Sequence, residues 1–246
     1  MADVALVAVL ALTGLGLGVP MTSLITRYAP PLPGNAPASP GPPSPTSSPG
    51  TSASPGPSAS PDPRPHLIHA DRRGALLVGS VTGVLLGLIG ARVHPALVLV
   101  AACGLAVSTV PLAFIDVAVK RLPDVFTGAA YAATAVFLFL AATVGGHWGA
   151  LGRAAMGGLT LAAVYLALLL ISPSGMGLGD VKLAASLGTM LAWTSWDLLL
   201  LGGFAGFALA AVYSVVLLAT GRATRKQAIP FGPFMIAGAF LALLLS

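Results

Sequence analysis

The sequence predicts an all-α membrane protein, a polytopic bundle of about eight transmembrane helices. Three observations point there. The chain has 246 residues, 56% hydrophobic and only 8% charged, whereas a soluble domain carries about 25% charged residues. Several apolar runs reach the roughly 20 residues that a bilayer requires. The Lys and Arg residues between those runs fall unevenly on alternate sides, the pattern expected when one side is cytoplasmic. A soluble all-helical core could not hide this much apolar surface.

The first apolar run covers residues 4–25. Its only early charge is Asp3, so the basic start of a signal peptide is missing, and no Ala-x-Ala pattern closes it. Residues 1–28 are therefore expected to be a retained first transmembrane helix. Residues 29–73 are different. Fourteen of the chain's 21 prolines lie in 29–66, among Ser, Gly, Ala and Thr. Such a segment has little to bury, so a disordered or extended cytoplasmic linker is expected. His66 and His69 lie in it with no Cys or further His nearby, which favours solvated side chains over a metal site.

Residues 74–246 then read as a core of seven spans: 76–89, 96–115, 125–144, 154–171, a short 181–193, 198–220 and 229–245. Between the fourth and fifth spans overall, residues 145–153 read as a short loop containing His147 and Trp148. With the N-terminus outside, one side collects Arg27, Arg64, Arg72, Arg73, Lys120, Arg121, Lys182, Arg222, Arg225 and Lys226. The other holds only Arg92 and Arg153. The first side is expected to be cytoplasmic. Net charge is +5; in a membrane protein that balance points to cytoplasmic loops and the lipid bilayer as partner, not to nucleic acid. The single cysteine, Cys103, cannot form an intrachain disulfide, and no Cys cluster offers a zinc site.

All seven acidic residues are aspartates. Two of them end or begin apolar runs on the expected cytoplasmic side, 64 positions apart: Asp116 and Asp180. Ionisable groups near membrane depth are rare and mark functional sites. Asp180 sits in Gly175-Met176-Gly177-Leu178-Gly179-Asp180-Val181-Lys182, where glycines permit close backbone approach. Blander readings exist: Asp116 as a solvated loop carboxylate, and Asp180 as a helix N-terminal carboxylate favoured by the dipole. A phosphate cradle is weakly signalled, since the Walker-type Gly-Lys-Ser/Thr is absent. If the two aspartates converge, they can hydrolyse a peptide bond. One ionised carboxylate takes a proton from water, and the other, protonated, activates the scissile carbonyl.

Gly177-Leu178-Gly179-Asp180 resembles the GxGD motif of the type IV prepilin peptidases, a family of intramembrane aspartyl proteases. Asp116 followed by Leu122-Pro123-Asp124 resembles that family's second signature, and Ile229-Pro230-Phe231-Gly232-Pro233-Phe234 its C-terminal segment. The resemblance covers about residues 75–246. It implies cleavage of the basic leader of prepilin or pseudopilin precursors at the cytoplasmic face of a bacterial inner membrane. Asp116 and Asp180 would be the catalytic pair, Gly177, Gly179, Asp124 and Lys182 supporting groups, and Pro230, Phe231, Gly232 and Pro233 a wall of the substrate groove. No metal or other cofactor is implied for hydrolysis. Many relatives carry two Cys-x-x-Cys pairs after the first span; the Pro/Ser linker stands there instead. The resemblance therefore does not carry N-methylation or S-adenosylmethionine binding. The alternative is a proton- or cation-coupled transporter using intramembrane aspartates, against which the acids cluster at one membrane edge.

Overall fold

The computed structural model describes residues 2–28, 72–119, 124–173, 176–221 and 229–246. The Pro/Ser-rich linker with His66 and His69, the 120–123 connection, Gly175 and the basic 222–228 segment lie outside these residues. Among the described residues every regular element is a helix: α1 Ala2–Gly16, α2 Gly18–Tyr28, α3 Arg72–Arg92, α4 Ala96–Val119, α5 Asp124–Gly145, α6 Trp148–Ile171, α7 Leu178–Thr194, α8 Trp196–Ala219 and α9 Gly232–Leu244. The all-α polytopic membrane architecture holds.

The first span is two helices. Pro20 has no N–H to offer the Gly16 carbonyl, and the helix breaks at Leu17. Together α1 and α2 form one crossing, and α3, α4, α5, α6 and α8 are each long and apolar enough for another. That makes six candidate crossings among the described residues. The expected sixth and eighth spans, α7 and α9, are shorter, at 17 and 13 residues. At 1.5 Å per residue they reach about 26 and 20 Å, short of a hydrocarbon core of about 30 Å. Both are flanked by longer helices. α7 packs against α4, α5, α6, α8 and α9, and its residues from Leu183 to Trp193 are nearly all buried. Large side chains that remain exposed, such as Val84, Phe139, Leu159 and Phe204, belong to the surrounding helices and suit a lipid-facing surface.

Glycine brings four helix pairs into backbone contact, as is common between membrane helices. A Cβ on Gly14 would stand 2.5 Å from Gly83 Cα, and one on Gly83 would stand 2.6 Å from the Ala11 carbonyl, so α1 docks on α3 backbone to backbone. Gly18 and Gly79 repeat the contact one turn on. Gly157 and Gly158 of α6 meet Gly188 of α7, and Gly202 and Gly206 of α8 meet Gly238 of α9.

The expected 145–153 loop is mostly helix. Gly146, at φ 69°, ends α5, and α6 begins at Trp148. Arg153 therefore lies inside α6. Its guanidinium donates to the Ala192, Trp193 and Thr194 carbonyls at the end of α7. A cation there satisfies carbonyls that a helix end leaves bare, which is why Arg153 needs no loop. Arg92 does the same for α9, donating from Nη1 to the Leu244 carbonyl. Both arginines of the lightly charged face are thus helix-end partners.

Two outcomes follow. Gly83→Leu is expected to separate α1 from α3 and lower the thermal midpoint in detergent, while Gly128→Leu, with open space at its Cβ, leaves it unchanged. Arg153→Ala is expected to cost about 1–3 kcal/mol by stripping partners from the α7 end, with Arg153→Lys recovering part of it; detergent unfolding reads both.

Candidate functional site

The buried hydroxyls of this bundle are largely served within their own helices. Thr22, Thr82, Thr109, Thr134 and Thr189 each donate to the carbonyl four residues back. Charged groups have no such local solution. Among the described residues two charged side chains are buried: Asp116, 4% exposed, and Asp180, 6% exposed. Asp197, which like Asp180 stands in the first turn of a helix, is exposed. Burial, not position along a helix, separates the candidate acids from an ordinary helix-start carboxylate.

Asp180 occupies the third helical position of α7, with Gly177 as N-cap. Its Oδ2 accepts from the Gly177 N–H at 2.9 Å, and its own N–H donates to the Gly177 carbonyl at 3.1 Å. This is the carboxylate half of a capping box; glycine has no side chain to return the other half. Asp180 Oδ1 is buried and has no hydrogen-bond partner. An unpaired buried acceptor is costly.

Asp116 lies within α4, which continues to Val119 instead of stopping at the acid. Its Oδ2 accepts from the Gly232 N–H at 3.0 Å. Gly232 is the first helical residue of α9, with Pro233 beside it. Its N–H is one of the donors that a helix start leaves unpaired. A Cβ on Gly232 would stand 2.9 Å from that same Oδ2, so glycine is what lets α9 come this close.

A closed set of three rings adjoins the Asp116 anchor. Tyr165 of α6, Phe207 of α8 and Phe231 before α9 meet pairwise, with centroid separations of 5.4, 5.8 and 5.1 Å. Phe231 is bonded to Gly232, the partner of Asp116. Tyr165 in turn lies within electrostatic reach of Asp180. Tyr165 escaped the sequence reading. The available signal was a hydroxyl-bearing ring inside the largely apolar 154–171 run.

The other motif residues are spread more widely. Gly179 sits in the first turn of α7, beside Asp180. Lys182 is exposed and two residues from Asp180, a spacing that places it on another side of the helix. Asp124 begins α5, and its side chain is outside the described set. Pro230 and Phe231 lead into α9, where Phe231 is the N-cap. Among the described residues no three His, Cys, Asp or Glu side chains come together.

Fold and site define a polytopic helical membrane protein with two buried aspartates, each anchored by the backbone at a helix start. Residues 99–219 belong to the type IV leader peptidase family. That stretch contains both aspartates and ends before the Pro230–Pro233 turn. A prepilin leader peptidase/N-methyltransferase of Aeromonas salmonicida strain A449 is 32% identical over 174 residues, covering 68% of this chain and 57% of the relative. One from Stutzerimonas stutzeri is 40% identical over 96 residues, covering 39% of this chain and 32% of the relative. Leader peptidase HopD of Escherichia coli is 40% identical over 97 residues, covering 38% of this chain and 57% of the relative. The chain thus spans only a little over half the length of the first of these relatives. No solved structure matches it.

Proposed function

We propose that this protein is an aspartic endopeptidase. It removes the leader peptide from type IV prepilin or pseudopilin precursors at the cytoplasmic face of a bacterial inner membrane, with Asp116 and Asp180 as its catalytic pair. The observation that carries the reading is the matched treatment of the two buried acids. Each gives one oxygen to a backbone N–H at a glycine-containing helix start, and Asp180 keeps its other oxygen unpaired. Family membership of the stretch that contains both acids, and relatives named as leader peptidases, support it.

The chemistry needs one proton on the pair. The ionised carboxylate takes a proton from water as the water oxygen attacks the scissile carbonyl carbon. The protonated carboxyl gives its proton to the carbonyl oxygen. The tetrahedral intermediate then collapses, the C–N bond breaks, and a proton passes to the departing amine. Gly177 and Gly232 fix the carboxylates in place, so little reorganisation is needed. The turn containing Pro230, Phe231, Gly232 and Pro233 forms one wall of the groove that receives the precursor. Gly179, Asp124 and Lys182 are supporting residues. The cytoplasmic placement is supported by the charge asymmetry of the sequence, with ten Lys and Arg expected on one side against two on the other. A cation-coupled transporter is not favoured, because the chain's family and its relatives are leader peptidases.

Co-expression with a prepilin precursor tests the reading through the precursor's size shift. Wild type cleaves; Asp116→Asn and Asp180→Asn each lose at least about a thousandfold while still inserting in the membrane; Asp197→Asn cleaves as wild type. Cleavage retained by Asp116→Asn or Asp180→Asn would remove that residue from the pair. Gly232→Ala is expected to push Asp116 off its donor and to lower turnover on the order of a hundredfold, measured on the purified protein.

A further inference from the structure

Tyr165 is 1% exposed and the largest of the fully buried side chains. Packing alone does not explain it. Its ring neighbours are Phe207 and Phe231, and a phenylalanine would fill the same space without burying a hydroxyl. A buried phenol ordinarily has a polar task.

Helix register shows where that task lies. Gly158 of α6 faces Ala185 and Thr189 of α7. The helices are antiparallel, so two turns on along α6 correspond to two turns back along α7. That step brings Tyr165 level with residues 178–182, centred on Asp180. The Asp180 charge accordingly reaches the phenol. Asp180 Oδ1, meanwhile, is buried and unpartnered.

We propose that Tyr165 is a positioning residue whose hydroxyl reaches the unpaired Asp180 Oδ1 through one bridging water. The ring triad holds the phenol in place, and through Phe231 the same triad seats Gly232 on Asp116. Tyr165 thereby ties the geometry of one aspartate to that of the other. This role rests on the peptidase reading, but the hydrogen bond can be tested without it.

The test uses the full-length protein in liposomes. Infrared difference spectra identify the Asp180 carboxyl band as the one absent from Asp180→Asn. In Tyr165→Phe that band is expected to shift; an unmoved band overturns the proposal. Precursor cleavage is measured on the same samples. Tyr165→Phe is expected to lose about ten- to a hundredfold in kcat, with KM within about twofold and an unchanged thermal midpoint. Wild-type kcat in Tyr165→Phe, or a loss confined to KM, overturns the positioning role. If wild type cleaves no precursor while the band still shifts, the peptidase reading fails and the hydrogen bond stands.

Discussion

The structure depends on keeping two carboxylates inside an apolar bundle. Most of its buried polar groups are hydroxyls that bond within their own helices and ask nothing of their neighbours. A carboxylate has no N–H to find within an intact helix, where those donors are already engaged. The free donors lie at helix starts, and Asp116 and Asp180 both use one. This requirement dictates where α7 and α9 begin. Each starts beside an acid, and each is shorter than the membrane-spanning helices around it. The glycine contacts that bind α6 to α7 and α8 to α9 then hold the two short helices at that level.

Much of the architecture could be read from composition and charge. Apolar run lengths located nearly all the helices to within a few residues, because burial in lipid leaves little choice of secondary structure. The misplacements have local causes. Pro20 divides the first span. Arg153 looked like a loop cation because a charge in a membrane helix is costly, yet the open carbonyls of α7 absorb it. The lengths of α7 and α9 were also not evident, since whether an apolar run crosses a bilayer alone or inside a ring of neighbours is a tertiary property.

The candidate site was partly legible. Asp180 and its glycines stood out in sequence, as did Asp116. Asp180 and Asp197 nevertheless look alike in local terms, two aspartates in first helical turns, and only packing buries one and exposes the other. Gly232 was visible as part of a proline-flanked turn, but its bond to Asp116 joins residues 116 positions apart. Tyr165 carries no motif, and its importance emerges from the register of α6 on α7.

The two helix starts also set a charge balance. Each helix N-terminus presents about half a positive charge. α7 directs its own at Asp180 and α9 directs its own at Asp116, so together they offer about one unit. Two ionised aspartates would overdraw that supply, and two neutral ones would leave it unmatched. One negative charge over the two acids is what these two helix starts match.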